Sequence, residues 1–340
     1  ALAYGDQSDN NLTFVGLVGI YDPPREGVKD AIHKLIDAGV KVVMITGDSK
    51  ETAVAIGREL GIVTSEKSSI VEDSEIALSV ADFRDDNKEI FKQRVDKACI
   101  FYRMAPVHKM KIVEAYKALG YTVAMTGDGV NDAPAIADAD IGVAMGKAGS
   151  DVTKEASDMI LTDDNFASIV VAIKQGRRIF MNIRKFVIHL LSANVAQLLS
   201  LLIPVMAGYR IPLNATQILW VNLVTSSPTA ISLGIEKPAR GVMKKKRYKI
   251  GQSLFTFETI LEIFVFGAIM GLVIMLNYFC MTVLWLERSL ESARAVSFTT
   301  MVFLLLYQTY NCRNTRRPVF ADQVWKSYPI HITVITGIML

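Results

Sequence analysis

Cysteine is scarce in this chain. Its 340 residues contain three, Cys99, Cys280 and Cys312, far apart and without a CxxC pair. That excludes a disulfide framework and a thiolate zinc site, and buried, inert thiols are expected. Net charge is also low, at +3, so the sequence carries no global nucleic-acid footprint and no nucleic-acid partner is expected. No secretory signal pattern opens it. It starts at Ala1 rather than Met and stops inside an apolar run, which reads as a piece of something longer. The absence that organises the rest is charge in the second half. Residues 1–185 carry frequent charges and read as a soluble α/β domain, whereas beyond Lys185 charge vanishes over long intervals.

Residues 186–209, 211–235, 263–286 and 295–312 hold no Asp, Glu, Lys or Arg over 24, 25, 24 and 18 positions. At 1.5 Å per residue each is long enough to cross a hydrocarbon core of ~30 Å as a helix. A fifth run, 327–340, is cut off at 14 residues by the chain end. The loop after the second run holds Lys237, Arg240, Lys244, Lys245, Lys246, Arg247 and Lys249, and the loop after the fourth holds Arg313, Arg316, Arg317 and Lys326. The opposite loops hold only Arg210, Arg288 and Arg294. The positive-inside rule therefore predicts a multi-pass integral membrane protein in contact with lipid, its basic loops and soluble half cytoplasmic. Which membrane it occupies is not legible.

The soluble half alternates. Residues 12–19 are strand-like, Asp22-Pro23-Pro24-Arg25 breaks the chain, and 27–38 form an amphipathic helix with Val28, Ala31, Ile32, Leu35 and Ile36 on one face. Residues 41–45 read as a strand ending in Thr46-Gly47-Asp48, and 51–60 as a helix closed by Gly61. Further strands are expected at 100–103, 122–125, 141–145 and 158–161, with the polar stretch 65–97 an excursion from the sheet. This alternation predicts a doubly wound, mostly parallel sheet. Residues 164–185 read as a stiff helical stalk running into the first span.

The most informative stretch is Met125-Thr126-Gly127-Asp128-Gly129-Val130-Asn131-Asp132-Ala133-Pro134. A buried strand there delivers Asp128 and Asp132, with Asn131 between, into a glycine-flanked turn. That is how an α/β sheet builds a Mg²⁺ and phosphate site at its carboxyl edge. Taken alone, the turn is an ordinary strand-to-helix joint. Two other strand ends add to it: Thr46 offers a hydroxyl beside the Gly47 amide, and Lys109, in Ala105-Pro106-Val107-His108-Lys109, offers a cation. Each has a plainer reading, a helix cap for residues 46–48, a solvated lysine for Lys109 and a structural imidazole for His108. Their occurrence in order on successive βα units is what phosphoryl transfer requires. The spans in turn carry Ser192, Asn194, Gln197, Asn222, Thr225, Ser226, Ser227 and Gln308. Such groups either tie helices together or hold a transported ion, and Asn194, Gln197, Asn222 and Thr225 are the chief ion candidates.

These motifs resemble those of the P-type cation-transporting ATPases: Thr46-Gly47-Asp48, Lys109, Thr126-Gly127-Asp128-Gly129-Val130-Asn131-Asp132, the hinge-like Asp22-Pro23-Pro24-Arg25 and the stalk-like Asp163-Asp164-Asn165-Phe166. The resemblance implies a haloacid-dehalogenase-like, Rossmannoid α/β phosphorylation domain followed by an all-α transmembrane domain. It makes 1–21 the end of a nucleotide-binding domain with a hinge strand, 22–163 the phosphorylation domain, 164–185 the stalk and 186–340 the transmembrane domain, with the fifth to eighth spans and part of the ninth. The implied activity is ATP-driven cation transport through an aspartyl phosphate, with Mg²⁺ and ATP as cofactors. Asp128 would bind Mg²⁺. Thr46, Gly47, Asp48 and Lys109 would hold the phosphoryl group. Asn131 and Asp132 would complete the pocket, with Asp22 and Arg25 in the cofactor-binding set. Asn194, Gln197, Asn222, Thr225, Ser226 and Gln308 would face the cation.

The family's Asp-Lys-Thr-Gly-Thr motif does not occur here. By the resemblance, the phosphorylated aspartate, most of the ATP site, the actuator domain and four spans belong to the N-terminal half of the same pump, and these residues alone form no phosphoenzyme. The branches disagree about the ion. The stretch Gly47–Ile56 is similar to secretory-pathway calcium pumps. The stretches Asn194–Gln197 and Thr225–Ser227 are similar to fungal-type sodium or potassium exporters, with Gln197, Ser226 and Gln308 standing where reticulum-type calcium pumps have acids. Ca²⁺ and Na⁺ or K⁺ both stay open. Two rival readings are a membrane-anchored phosphatase of the same fold, which requires an Asp-x-Asp motif upstream, and a non-catalytic membrane interaction protein.

Overall fold

The computed structural model describes residues 2–5, 12–19, 23–63, 76–84, 88–237, 241–244, 254–284, 289–313 and 328–339. The chain divides into two compact units, Ala1–Val170 and Val171–Leu340.

The first unit opens with strands β1 (Leu2–Gly5) and β2 (Leu12–Gly16), an antiparallel pair. Helix α1 (Val28–Asp37) follows, burying Ala31, Ile32 and Leu35 as the 3.6-residue periodicity demands. Then come β3 (Met44–Ile45), α2 (Lys50–Glu59), β4 (Ala77–Leu78), α3 (Lys88–Lys97), β5 (Ile100–Phe101) and α4 (Pro106–Ala118). The unit finishes with β6 (Ala124–Gly127), α5 (Ala133–Asp138), β7 (Ile141–Met145), α6 (Asp151–Glu155) and β8 (Met159–Leu161). The strands at 44–45, 100–101, 124–127, 141–145 and 159–161 fall within or beside the expected segments. Residues 65–97 are not wholly an excursion, because Ala77–Leu78 pairs with β5 as an edge strand. The polar composition around it hid a two-residue apolar strand whose side chains are buried.

The expected single sheet is divided in two. One sheet has the order β3-β5-β4 and the other β6-β7-β8, every pair in both being parallel. Strands β3 and β6 each keep one edge unpaired among the described residues. They nevertheless share a core, for Val43, Ile45 and Val123 pack on one cluster around Phe101, Ile112 and Tyr116. Helix α4 links the sheets by contributing Ile112 and Ala115 to that cluster and Val113 to another around Met125, Ala135 and Ile136.

The second unit is helical. Helix α7 (Ala167–Met206) is continuous over 40 residues, ~60 Å of axis, so the expected stalk and first span form one helix. The expected second span, 211–235, is not one regular helix. It comprises α8 (Ala215–Trp220), a π-turn at Val221–Ser226 and α9 (Ser227–Gly234). Pro228 explains the break: it has no amide to give the Val224 carbonyl and its ring crowds that carbonyl. The Ser227 hydroxyl instead donates to the Asn222 carbonyl at 2.7 Å. Helices α10 (Phe257–Phe279), α11 (Leu290–Arg313) and α12 (Tyr328–Met339) complete the unit. Among the described residues three helical stretches, Ala167–Met206, Phe257–Thr282 and Leu290–Arg313, are long and apolar enough to cross a membrane. Gly267 and Gly271 of α10 lie against α7. A Cβ on Gly267 would sit 2.6 Å from Val195 Cβ, and one on Gly271 3.2 Å from Leu199 Cβ. This small-xxx-small spacing lets two backbones approach where lipid supplies no hydrophobic drive.

Candidate functional site

The carboxyl ends of β3 and β6 carry the first cluster, at the edge where open α/β sheets place their ligands. After β3, the Thr46 hydroxyl donates to Asp48 Oδ2 at 2.7 Å and accepts the Asp48 amide at 3.1 Å. Residues 46–48 are not the cap of α2. That cap is Ser49, whose hydroxyl accepts the Thr52 amide. Gly47 is exposed and open on its Cβ side, leaving its backbone approachable. The loop is braced from β5, as Arg103 donates its amide to the Asp48 carbonyl and Met104 to the Thr46 carbonyl.

After β6 the chain turns through Gly127, Asp128 and Gly129. Lys109 of α4 reaches Asp132 Oδ1 at 2.5 Å, with both side chains largely buried. Breaking such a pair by removing one partner costs about 3 kcal/mol, because the other is left as an uncompensated charge. Gly127 makes the pairing possible: a Cβ there would lie 2.5 Å from Asp132 Cβ and 2.6 Å from Oδ2. The Asp128 side chain is exposed, and its carboxylate takes no hydrogen bond or ion pair among the described residues. Asn131 is exposed beside it. His108 is a helix-start residue, its Nδ1 accepting the Ala105 amide at 3.3 Å.

Arg25 is engaged elsewhere, its Nη1 donating to the Asp164 carbonyl at 2.7 Å. Asp164 sits at positive φ, and its carboxylate accepts the Lys147 and Ala148 amides at 2.8 Å each. Those amides, the Lys147 amide first, hold the Asp164 carboxyl below the usual carboxylate range, against the opposing effect of burial. Arg25 therefore fastens the hinge to the loop after β8, two strands away from Asp128 in the order β6-β7-β8. Asp22 lies outside the described residues.

An exposed, unpaired carboxylate at a strand end suits Mg²⁺, which keeps most of its waters and takes one or two carboxylates plus phosphate oxygens. Among the described residues no group of three or more His, Cys, Asp and Glu side chains forms a cage for a metal. The donor set fits a metal shared with a bound phosphate.

The second cluster lies in the helical unit. Gln197 Nε2 of α7 donates to Asn222 Oδ1 of the π-turn at 2.8 Å. Thr225 and Ser226 are buried beside it, and the Ser226 hydroxyl has no hydrogen-bond partner among the described residues. The buried Ser192 hydroxyl is likewise unpartnered. Gln308 of α11 is buried too, but turns to its own helix, donating to Cys312 Sγ at 3.4 Å and accepting from Asn311 at 3.3 Å. Asn194 lies on an exposed face of α7. The structure thus joins Gln197 to Asn222 and holds Thr225 and Ser226 in the same π-turn, while Gln308 hydrogen-bonds within its own helix and Asn194 is exposed.

Comparison with known proteins agrees with this geometry. A family model described as haloacid dehalogenase-like hydrolase matches residues 3–140, and one described as cation transporting ATPase, C-terminus matches residues 210–340. The chain is 40% identical over 338 residues to the calcium-transporting ATPase of Bacillus subtilis, covering 98% of this chain and 36% of that protein. It is 37% identical over 356 residues to calcium-transporting ATPase 1 of Bacillus cereus, covering 98% and 38%. It is 41% identical over 326 residues to the human calcium-transporting ATPase type 2C member 1, covering 94% and 34%. The chain belongs to the P-type cation-transporting ATPases. It spans about a third of the length of these relatives.

As a P-type ATPase chain it is a membrane protein with a haloacid-dehalogenase-like domain ahead of its helical one. The structure adds residues that its motifs did not announce. Thr153 is fully buried, and its hydroxyl donates to the Gly129 carbonyl at 3.0 Å, while the Ser150 amide donates to the Asp128 carbonyl at 3.0 Å. Ser150 caps α6 and pairs its hydroxyl with that of Thr153, so this cap braces the Asp128 turn from behind. A Ser-x-x-Thr cap between two strands was the signal available for it.

Proposed function

We propose that the chain is the phosphorylation and translocation part of an ATP-driven Ca²⁺ pump. A strand from outside these residues, bearing the phosphorylated aspartate, would pair between the free edges of β3 and β6. The observation that carries the reading is the set of groups those two edges present. The Thr46 hydroxyl and Gly47 stand on one side, and the exposed Asp128 carboxylate stands on the other, above the Lys109–Asp132 pair.

Thr46 and the Gly47 backbone hold oxygens of the transferring phosphoryl group, and Asp48 fixes the Thr46 rotamer through its 2.7 Å hydrogen bond. Lys109 supplies positive charge while Asp132 keeps its ammonium in place. Asn131 lines the mouth of the pocket. Asp128 would hold Mg²⁺, which when bound neutralises phosphate charge. Arg25 positions the hinge rather than touching the phosphoryl group. The first unit is cytoplasmic and the spans cross the bilayer several times, a reading that the Lys and Arg bias of the loops supports.

Gln197, Asn222, Thr225 and Ser226 supply neutral oxygens to the cation. Further ligands come from segments outside these residues that cover the Asn194 face. Calcium is favoured because the relatives named above are calcium-transporting ATPases. A monovalent cation is the second reading, favoured by the absence of a carboxylate among Gln197, Asn222, Thr225, Ser226 and Gln308. ATP hydrolysis by the full-length protein, measured in turn with Ca²⁺, Na⁺, K⁺ and Mn²⁺, separates them. Activation at micromolar Ca²⁺ is expected, and activation by Na⁺ or K⁺ alone would overturn the calcium assignment.

A further inference from the structure

Glu236, just past the end of α9, is a buried carboxylate with two cations on it. Its side chain is 6% exposed, and Lys185 Nζ of α7 meets Oε2 at 2.7 Å. Arg313 Nε, at the end of α11, meets Oε1. The backbone around Glu236 is held as firmly. Asn182 Nδ2 donates to the Gly234 and Glu236 carbonyls at 3.0 and 2.8 Å. Arg178 donates to the Ile235 and Glu236 carbonyls at 2.8 Å each. These carbonyls belong to the frayed end of α9, which a helix must satisfy from outside. A cation from each of two helices, α7 and α11, therefore closes on one carboxylate at the end of a third, α9.

The same three helices carry the polar residues of the spans. Gln197 lies twelve residues beyond Lys185 on α7, ~18 Å along the axis, and Gln308 lies five before Arg313 on α11, ~7.5 Å away. Asn222 and Ser226 precede Glu236 across the π-turn and α9. The antiparallel pair of α7 and α9 is thus pinned at two levels, by Gln197–Asn222 and by Lys185–Glu236. Between them His189 Nε2 meets the Thr229 hydroxyl at 2.9 Å.

Resting on the pump reading above, we propose that Glu236 is a positioning residue that locks the middle of α7 and the ends of α9 and α11 into one body. A displacement of the stalk is then transmitted to Gln197, Asn222 and Gln308 together. Without the lock, α7 moves past its partners and the cation groups lose their mutual geometry. The lock is not needed for folding, since a buried ion triad replaced by apolar residues of similar volume is often neutral or stabilising.

The test uses the full-length pump in proteoliposomes, as wild type, Glu236→Gln and the triple variant Lys185→Met, Glu236→Met, Arg313→Met. Radiolabelled Ca²⁺ uptake, ATP hydrolysis and maximal acyl-phosphate level are measured per folded protein. In both variants we expect the maximal acyl phosphate to persist. The Ca²⁺ concentration for half-maximal phosphorylation should rise, and the ions moved per ATP should fall, each by about fivefold or more, the lower end of ordinary coupling between linked sites. Wild-type values of both quantities in the triple variant overturn the proposal, whether or not Glu236→Gln folds. A wild-type protein that forms no acyl phosphate instead overturns the pump reading itself, and with it this inference.

Discussion

At the scale of the residue, the Lys109–Asp132 pair depends on one missing Cβ. Gly127 has room only for hydrogen, because Asp132 stands 2.5 Å from where a Cβ would be. Gly127→Ala should push Asp132 off Lys109 and destabilise the chain by about 1–3 kcal/mol, the usual penalty of overpacking. Denaturant unfolding measures that cost. In the full-length pump the same change should lower acyl-phosphate formation by far more than it lowers the folded fraction. Asp164 makes a second prediction, through pH. Its carboxylate accepts the Lys147 and Ala148 amides, which lower its pKa in the folded state. The stabilisation is therefore fully present above the unfolded carboxylate pKa of about 4 and is lost as pH falls through the lower, folded value. Asp164→Asn, which tolerates the positive φ, should melt below wild type at neutral pH, and the difference should narrow at about pH 3. A constant difference across that range would show that the charge is irrelevant.

At the scale of the element, most of the α/β unit was legible because its strands are short apolar runs ending in turn residues. The positions of Thr46 and Asp128 at the ends of such runs were legible for the same reason, whereas Lys109, expected at a strand end, lies within α4. What escaped was carried by contacts rather than by periodicity. The strand Ala77–Leu78 is two residues long in a polar stretch, and only its parallel pairing with β5 defines it. The π-turn at 221–226 follows from Pro228 four residues beyond Val224, a backbone conflict that an apolar run conceals. Arg25, grouped by sequence with the cofactor-binding residues, serves the Asp164 loop instead. The packing of α10 on α7 was written in Gly267-x-x-x-Gly271, a spacing that hydropathy alone passes over. It yields the third prediction. Gly267→Leu places atoms where Val195 and the Ser192 carbonyl already lie, and should reduce folded, detergent-stable protein severalfold. Recovery equal to wild type by size-exclusion chromatography would show that the two helices separate without cost.

At the scale of the whole molecule, the chain carries two polar clusters, one in each unit, and α7 is continuous from the stalk to the Gln197–Asn222 pair. The first unit presents Thr46, Lys109 and Asp128 near the edges of β3 and β6 that are unpaired among the described residues. The chain itself contains no Asp-Lys-Thr-Gly-Thr motif to place between them. The proposed role of this pocket is to serve an aspartate lying outside these residues. The direct measurement is incorporation of labelled phosphate from ATP, read as an acid-stable, hydroxylamine-labile adduct. It is made on the full-length protein, on its Asp128→Asn variant and on residues 1–340 alone. Labelling is expected on the full-length protein at a residue outside these 340, with strong loss in Asp128→Asn and none on residues 1–340 alone. Labelling of residues 1–340 alone, or an Asp128→Asn variant that labels as wild type does, would contradict that role.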